Sequence, residues 1–254
     1  MVNASPPLST CLSRRLTSTT VSAAPPDAFS PTFSFTLSTA SAATSVMFRF
    51  PYLALLSALL SCLLILPASP ALAAKTILVF GDSLSAGYGI RQDAAWPALL
   101  ARRLQERKLD YSVVNASISG ETTSGGRARI DALLDRHAPA VVIVALGSND
   151  GLRGLPVATL RENLEAIAGA AQKRQARVLI VGQRLPPNYG HYAATFHAVF
   201  GEVARTRKTA FVDFLLDGVA TQPGLFQSDN LHPTAEAQPL LLDNVWRGLA
   251  PLLK

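Results

Sequence analysis

Hydrophobic residues follow two different periods along the chain from residue 75 onward. Short, nearly continuous apolar runs, typical of strands buried on both faces, alternate with segments in which apolar residues recur every three or four positions, as on one face of a helix. The apolar runs predict five strands, at Thr76–Phe80, Tyr111–Ala116, Ala140–Leu146, Arg177–Val181 and Ala210–Val212.

The helical pattern is clearest between the third and fourth predicted strands. There Val157, Leu160, Leu164 and Ile167 form a stripe that begins just after Pro156. Four further stripes lie within residues 96–104, 130–134, 192–203 and 242–249. Strict alternation of strands and helices, without a long linker or internal repeat, predicts one α/β domain: a three-layer α/β/α sandwich around a five-stranded parallel sheet.

The first 73 residues have a different composition. Residues 1–46 are rich in Ser, Thr, Ala and Pro and show neither period, which predicts disorder or an extension ahead of the true start of translation at Met47. Residues 47–73 have a basic start, an uncharged apolar run and the small-residue site Ala71-Leu72-Ala73. This layout predicts a signal peptide that is cleaved near Ala73, and hence a periplasmic or secreted protein. An uncleaved anchor is the alternative, although the apolar core is short and its flanks carry prolines.

Cysteine use and charge narrow the chemistry of the predicted domain, residues 74–254. The chain has two cysteines, Cys11 and Cys62, so disulfides, thiol catalysis and cysteine-ligated zinc are excluded there. The whole chain carries a net charge of +6. Basic clusters at 102–108 and 205–208 fall at predicted helix ends, where they suit the helix dipole. Such clusters indicate a solvated surface with at most transient attraction to lipid, and no nucleic-acid motif accompanies them.

Polar residues follow the predicted strands where a parallel sheet binds its ligands, outside the carboxyl ends of the strands. Gly81-Asp82-Ser83 follows the first strand, Ser119-Gly120-Glu121-Thr122 the second and Gly147-Ser148-Asn149-Asp150 the third. Ser228-Asp229-Asn230-Leu231-His232-Pro233 follows the last strand. We therefore expect these four segments to open at one edge of the sheet.

Together the four segments supply the parts of an acyl-transfer site. Ser83 is the candidate nucleophile, His232 the general base and then general acid, and Asp229 the carboxylate that orients the imidazole. The backbone amides of Ser83 and Gly120 and the side-chain amide of Asn149 are the candidate donors of an oxyanion hole. Because Asp229 and His232 share one short loop, a single turn can bring them together.

Each of these residues also has an ordinary interpretation. A serine in a turn is usually a cap or turn former, a lone glycine marks a turn, and a single Asp-x-x-His is more often structural than catalytic. Asn149 and Asp150 suit a helix N-terminus, and Asp150 is assigned that capping role. Asp82 is interpreted as a structural neighbour of Ser83. The catalytic interpretation is favoured because complementary groups fall in loops at one edge of one sheet.

These segments resemble the SGNH hydrolases, also called GDSL esterases, whose four letters correspond to Ser83, Gly120, Asn149 and His232. The resemblance extends over residues 75–254 and is sharpest to a bacterial periplasmic group of arylesterases, acyl-thioesterases and lysophospholipases. The motifs that carry it are "ILVFGDSLSAGYG", "VVNASISGETTSGG", "VIVALGSNDGLRGLP", "LPPNYG" and "SDNLHPTAEAQP". Two positions depart from the family pattern: Ser148 stands where a second glycine is common, and Glu121 where aspartate is expected.

The resemblance implies a flavodoxin-like fold and a catalytic site without metal or cofactor. It also implies that Gly151–Leu155 moves when an acyl chain binds, and that the loop Leu185–Tyr192 lines an acyl groove. The expected substrate-binding residues are Gly151, Leu152, Leu155, Pro187 and Tyr189. Outside the motifs, His191 is interpreted as a loop residue and His197 as a solvent-facing residue of its helix.

The sequence thus predicts a monomeric serine esterase that forms an acyl-enzyme on Ser83. Its expected substrates are carboxylic esters and acyl thioesters, such as aryl esters, acyl-CoA and lysophospholipids. One alternative is the O-deacetylation of carbohydrates, a reaction of other SGNH enzymes. An alternative of another class is a non-catalytic flavodoxin-like module that holds phosphate or flavin at the Gly81 turn, which the carboxylate of Asp82 disfavours.

Overall fold

The structure is a computed structural model that describes residues 74–253. The extension predicted for residues 1–46, the start at Met47 and the signal peptide predicted for residues 47–73 lie outside the described residues. Between residues 74 and 253, no helix is both long and apolar enough to cross a membrane.

A five-stranded sheet, in which every neighbouring pair is parallel, forms the middle of the domain. The strand order is β2-β1-β3-β4-β5, the order of flavodoxin-like folds. The strands are β1 (Lys75–Gly81), β2 (Tyr111–Asn115), β3 (Val141–Ala145), β4 (Arg177–Val181) and β5 (Ala210–Val212).

Within residues 74–253, seven α-helices connect and cover the strands. They are α1 (Ser83–Ala86), α2 (Trp96–Glu106), α3 (Thr123–His137), α4 (Ser148–Leu152), α5 (Val157–Lys173), α6 (His191–Arg207) and α7 (Gln238–Leu249). One core cluster joins α3, α5 and α6 to one face of the sheet, and a second joins α2 and α7 to the other face. Along β1, Leu78 belongs to the first cluster and Val79 to the second, because successive side chains of a strand point to opposite faces.

This architecture confirms the predicted α/β/α sandwich. All five predicted strands form, with ends that differ by at most one residue. Helices α1 and α4 were not predicted, because a helix of four or five residues is too short to show a hydrophobic period. They begin at Ser83 and Ser148, and one and two residues, respectively, separate them from the ends of β1 and β3.

The strand order places the four polar segments together. The chain turns in opposite directions from β1 and β3, and such a switch point opens a crevice at the carboxyl ends of the two strands. Gly81 at the end of β1 pairs in register with Ala145 at the end of β3. Ser83 and Asn149, which follow these ends, are therefore neighbours in space.

One prediction about a histidine outside the motifs is wrong. His197 is half-buried rather than solvent-facing: its Nδ1 lies 3.1 Å from the Gln183 carbonyl oxygen and its Nε2 lies 3.2 Å from Asp213 Oδ1. The position lies off the apolar stripe of α6, but the loops that follow β4 and β5 cover it. His191 is exposed, as a loop residue would be, although it is the first residue of α6.

Close packing at the end of β4 provides a test of the fold. A Cβ on Gly182 would lie 2.1 Å from the Asp213 carbonyl oxygen, which belongs to a backbone that cannot easily move. We expect Gly182→Ala to lower the free energy of unfolding by about 1–3 kcal/mol, as overpacking does. Urea unfolding measures this. Gly224→Ala is the control, because a Cβ there meets nothing within 4 Å; equal effects of the two substitutions would contradict the packing.

Candidate active site

Ser83 is presented by a one-turn helix at the carboxyl end of β1. Asp82 caps this helix, and its Oδ1 accepts a hydrogen bond from the Leu84 amide at 3.1 Å. Gly87 ends the helix in the left-handed conformation, with φ of 73°, which a glycine adopts without strain. Ser83 is thus the first residue of α1 and lies directly above the sheet.

The loop that carries Asp229 and His232 is organised by its own carboxylate. Asp229 Oδ1 accepts hydrogen bonds from the backbone amides of Leu231, at 2.9 Å, and His232, at 3.0 Å. Asp229 Oδ2 lies 2.7 Å from His232 Nδ1. The His232 amide, the His232 side chain and the Leu231 amide, in that order, lower the pKa of Asp229 to about 2. Asp229 is therefore ionised at neutral pH.

His232 connects this loop to Ser83. Its Nε2 lies 2.9 Å from Ser83 Oγ, although the two residues are 149 positions apart. A neutral imidazole whose Nδ1–H donates to Asp229 has a free lone pair on Nε2, and this lone pair can accept the Ser83 hydroxyl proton. The ring of Tyr88 covers the imidazole, with ring centroids 4.4 Å apart. Carboxylate, imidazole and hydroxyl thus form one continuous chain of contacts.

Two of the predicted oxyanion donors, at Gly120 and Asn149, lie beside the contacts between Asp229, His232 and Ser83. Gly120 has φ of 80°, a conformation that favours glycine. Asn149 lies in α4, and its Nδ2 donates one hydrogen bond to the Glu121 carbonyl oxygen at 3.0 Å. Because an amide nitrogen carries two hydrogens, one remains for a ligand. Gly120 and Asn149 line the same cavity as Ser83 and His232.

The cavity has a volume of about 890 Å³ and largely apolar walls. Of the five predicted substrate-binding residues, Leu152 and Pro187 line it. The other three, Gly151, Leu155 and Tyr189, do not line it. Gly151 is buried, and a Cβ there would come within 2.7 Å of the Phe196 ring. The Leu155 carbonyl oxygen accepts from the Tyr192 hydroxyl at 2.7 Å, and the Tyr189 hydroxyl donates to the Leu152 carbonyl oxygen at 3.3 Å.

A second apolar wall was missed by sequence analysis. It comes from the segment between β5 and the His232 loop and includes Phe214, Leu216, Ala220, Pro223 and Phe226. This segment has neither a strand nor a helix period, so periodicity gave no signal. Its place after the last strand, at the carboxyl edge of the sheet, was the signal that could have identified it.

Asp150 caps a different helix from the one predicted. It is buried, its Oδ2 accepts from the Thr123 amide at 2.9 Å, and its Oδ1 accepts from the Thr123 hydroxyl at 2.5 Å. Thr123 is the first residue of α3, whereas α4, which contains Asp150, begins after Gly147. Asp150 therefore ties the segment that carries Gly120 to the helix that carries Asn149.

Asp82 is the buried carboxyl group closest to Ser83 in sequence. Its side chain is fully buried, and burial raises its pKa to about 6, although the Leu84 amide acts in the opposite direction. Because it caps α1 below Ser83, it is a structural neighbour rather than the partner of His232. The interpretation of Asp82 from the sequence agrees with this placement.

The parallel sheet with this strand order, and the contact of Ser83 with His232 at its switch point, are typical of SGNH acyl hydrolases. Residues 79–239 match the GDSL-like Lipase/Acylhydrolase family. The chain belongs to this family of serine esterases. In the described residues, no group of three His, Cys, Asp or Glu side chains could hold a metal ion.

Several relatives cover most of the chain. Esterase TesA of Pseudomonas aeruginosa is 49% identical over 193 residues, which are 76% of this chain and 96% of TesA. Thioesterase 1/protease 1/lysophospholipase L1 of Escherichia coli K12 is 41% identical over 191 residues, or 75% of this chain and 90% of that protein. A crystal structure of TesA matches with a TM-score of 0.69 and 50% identity, covering 70% of this chain and 100% of that one.

A solved structure of the psychrotrophic esterase EstA from Pseudoalteromonas sp., inhibited by monoethylphosphonate, is also similar. It matches with a TM-score of 0.68 and 38% identity, and covers 70% of this chain and 98% of EstA. The similarity therefore spans the whole described domain in esterases of this family.

The buried Asp82 predicts a dependence of stability on pH. Its pKa is raised from 3.8 to about 6, so the folded protein holds this proton more tightly than the unfolded chain, and the resulting stability is lost as pH rises from about 4 through about 6. A pKa difference of one unit between the folded and unfolded states corresponds to about 1.4 kcal/mol, so the loss of unfolding free energy reaches about 3 kcal/mol at pH 7.

Asp82→Asn keeps the cap and removes the titrating group. We therefore expect the stability of the variant, relative to wild type, to increase by about 3 kcal/mol between pH 4 and pH 7. Urea unfolding of both proteins at a series of pH values measures this difference. A difference that does not vary with pH would mean that Asp82 has an ordinary pKa.

Proposed function

We propose that this protein hydrolyses carboxylic esters and acyl thioesters of medium or long chain length through an acyl-enzyme on Ser83. One observation carries the proposal: the contacts from Asp229 Oδ2 to His232 and from His232 to Ser83 Oγ, at 2.7 and 2.9 Å, open into a large apolar cavity. Both distances lie in the hydrogen-bonding range that acid–base catalysis requires: the first orients His232, and the second allows proton transfer from Ser83.

In the first step, His232 Nε2 removes the proton from Ser83 as Oγ attacks the acyl carbon. Negative charge then develops on the former carbonyl oxygen, where the amides of Ser83 and Gly120 and the Asn149 side chain donate hydrogen bonds. Asp229 holds the imidazole in the tautomer with hydrogen on Nδ1 and stabilises the imidazolium that forms. The low pKa of Asp229 keeps its negative charge available for this purpose.

The acyl-enzyme forms when the alcohol or thiol departs with the proton that His232 returns to it. A water molecule then attacks the acyl carbon, and His232 takes a proton from this water. Collapse of the second tetrahedral intermediate releases the fatty acid and returns the proton to Ser83 Oγ. Thioesters and oxygen esters share this path, because the leaving group is protonated by the same imidazole.

The acyl-chain preference rests on the cavity and on the relatives. A volume of about 890 Å³ is at the upper end of the range for small-molecule pockets. Its two walls supply apolar side chains, among them Leu152, Leu185, Leu216 and Phe226. The similar proteins named esterase, arylesterase and thioesterase/lysophospholipase support the same substrate classes here.

Neither alternative has comparable support. An O-deacetylase needs space for only two acyl carbons, whereas this cavity extends along two apolar walls. A phosphate or flavin at the Gly81 turn would require the amide groups that open α1, but Asp82 Oδ1 already accepts a hydrogen bond from the Leu84 amide there. An anion at this turn would also lie beside the carboxyl group of Asp82 and be repelled by it when that group is charged.

The setting of the enzyme is part of the proposal. The signal pattern of residues 47–73 supports export to the periplasm, which N-terminal sequencing of the mature protein tests.

We propose that the enzyme acts as a monomer and touches lipid surfaces transiently. Large apolar side chains support this lipid contact: Tyr88 and Leu231 line the cavity and are exposed, and Ile118, also exposed, precedes the cavity residue Ser119.

Substitution of the catalytic residues tests the mechanism. We expect Ser83→Ala and His232→Ala to lower kcat on a nitrophenyl ester by roughly 10⁴- to 10⁶-fold without loss of folding, because each removes a part of the proton-transfer chain. Asp229→Asn should cost less, since Asp229 orients and stabilises the imidazole. Folded Ser83→Ala and His232→Ala variants with nearly normal activity would refute the assignment.

The second apolar wall predicts a change in chain-length selectivity. Ala220 lines the cavity, so Ala220→Trp should fill part of it and lower kcat/KM for a palmitoyl ester at least about tenfold, while butyryl ester hydrolysis changes less than about twofold. Initial rates over nitrophenyl esters of increasing chain length measure both. Ala158→Trp, at an exposed position of α5, is the control. Wild-type activity confined to acetyl esters would instead favour the deacetylase.

A further inference from the structure

The contact between His232 and Ser83 requires a restraint that Asp229 does not provide. Asp229 bonds the amides of Leu231 and His232 and the imidazole, all within one loop. These bonds shape the loop, but they do not hold it against α1, which lies at the other end of the domain sequence. Another group has to set the distance between the loop and Ser83.

Gln227 makes a side-chain connection of this kind. Its Nε2 donates to the Tyr88 carbonyl oxygen at 2.8 Å and to the Pro233 carbonyl oxygen at 3.1 Å. Tyr88 lies directly after α1 and its C-cap residue Gly87, whereas Pro233 follows His232. The two hydrogens of one amide therefore join the turn behind Ser83 to the residue next to His232, and Gln227 itself lies 139 positions from Tyr88.

The backbone of Gln227 is also bonded to the histidine loop. Its amide donates to the His232 carbonyl oxygen at 2.8 Å, and its carbonyl oxygen accepts from the Asn230 amide at 2.9 Å. The flanking residues Phe226 and Pro233 form an isolated antiparallel bridge. Gln227 and His232 thus face each other at the base of the loop, so a displacement of the Gln227 side chain is transmitted to the imidazole.

The turn after α1 is shaped to receive this side chain. A Cβ on Gly89 would lie 2.1 Å from Gln227 Oε1, so a larger residue would displace the amide. Gly89 also has φ of 74°, which favours glycine. The glycine at the end of "FGDSLSAGYG" therefore leaves room for a residue that precedes the histidine loop.

We propose that Gln227 is a positioning residue that holds His232 Nε2 within hydrogen-bonding distance of Ser83 Oγ. This inference rests on the catalytic roles proposed above for Ser83 and His232. By fixing the Tyr88 backbone, Gln227 also keeps the Tyr88 ring over the imidazole at 4.4 Å. Small displacements matter here, because a shift of about 1 Å in a catalytic group can cost about 100-fold in rate.

A second glutamine provides a similar connection on the other side of the loop. Gln238 Oε1 accepts from the Trp96 amide at 3.0 Å, and its Nε2 lies 3.2 Å from the Thr234 carbonyl oxygen. Gln238 is buried at the start of α7, so its replacement would leave the Trp96 amide unsatisfied and affect folding. Gln227 is only half-buried and is the better position for a test.

The first experiment replaces Gln227 with methionine, which keeps the length of the side chain and removes both donors. We expect kcat on a nitrophenyl ester to fall about 10- to 100-fold, with KM within about twofold of wild type, because the substrate cavity remains while proton transfer is misaligned. Gln222→Met is the matched control: its Nε2 donates to the Gly218 carbonyl oxygen, within one segment, and its loss should leave kcat unchanged.

A double-mutant cycle separates positioning from a general structural effect. If Gln227 acts through His232, Gln227→Met should cause no further loss of residual hydrolysis in a His232→Ala background. The same proportional loss in both backgrounds would overturn the proposal, as would a Gln227→Met variant with kcat within about twofold of wild type. Gln227→Asn, whose shorter amide cannot span both carbonyl oxygens, provides the same test if circular dichroism shows that the methionine variant is unfolded.

The controls distinguish this inference from the proposed function. Activity retained by Ser83→Ala or His232→Ala would remove the mechanism on which the inference rests. Activity lost in those two variants but retained in Gln227→Met would remove only the positioning role and leave the mechanism intact.

Discussion

One hydrogen bond, 2.9 Å from His232 Nε2 to Ser83 Oγ, sets the demands on the rest of the domain. The two residues come from opposite ends of the domain sequence, so the sheet has to bring the segments after β1 and β5 to one edge. A parallel sheet does this because the carboxyl ends of all its strands lie on the same side. The remaining precision comes from loop contacts, among them those of Asp229 and Gln227.

Three aspartates near this bond have different roles, because their burial and their hydrogen-bond partners differ. Asp229 is exposed and accepts two backbone amides as well as the imidazole, and these hydrogen bonds favour its charged form. Asp82 is fully buried with one amide donor, so burial favours its neutral form. Asp150 is buried too, but it binds the first residue of a neighbouring helix. Asp229, which we propose as the carboxylate partner of His232, is thus the most exposed of the three.

Much of the fold followed from local patterns, and the deviations have specific causes. The continuous apolar runs identified all five strands, because strands covered on both faces contain few polar residues. Helices α1 and α4 were not predicted, because a single helical turn is too short to show a hydrophobic period. Asp150 was assigned to the wrong helix because a capping preference does not specify which helix it serves. His197 was taken as exposed because the stripe on α6 does not show which loops lie over its other face.

The sequence by itself determined the chemistry that is available. Ser83, Gly120, Asn149, Asp229 and His232 lie in short segments whose residue types and order suffice to identify the family. Only the tertiary structure decided how these groups meet: the distance from His232 to Ser83, the burial of Asp82, the second cavity wall and the link from Gln227 to Tyr88. These features depend on contacts between residues up to 149 positions apart. Local sequence patterns carry no information about such contacts, because those patterns reflect only neighbours along the chain.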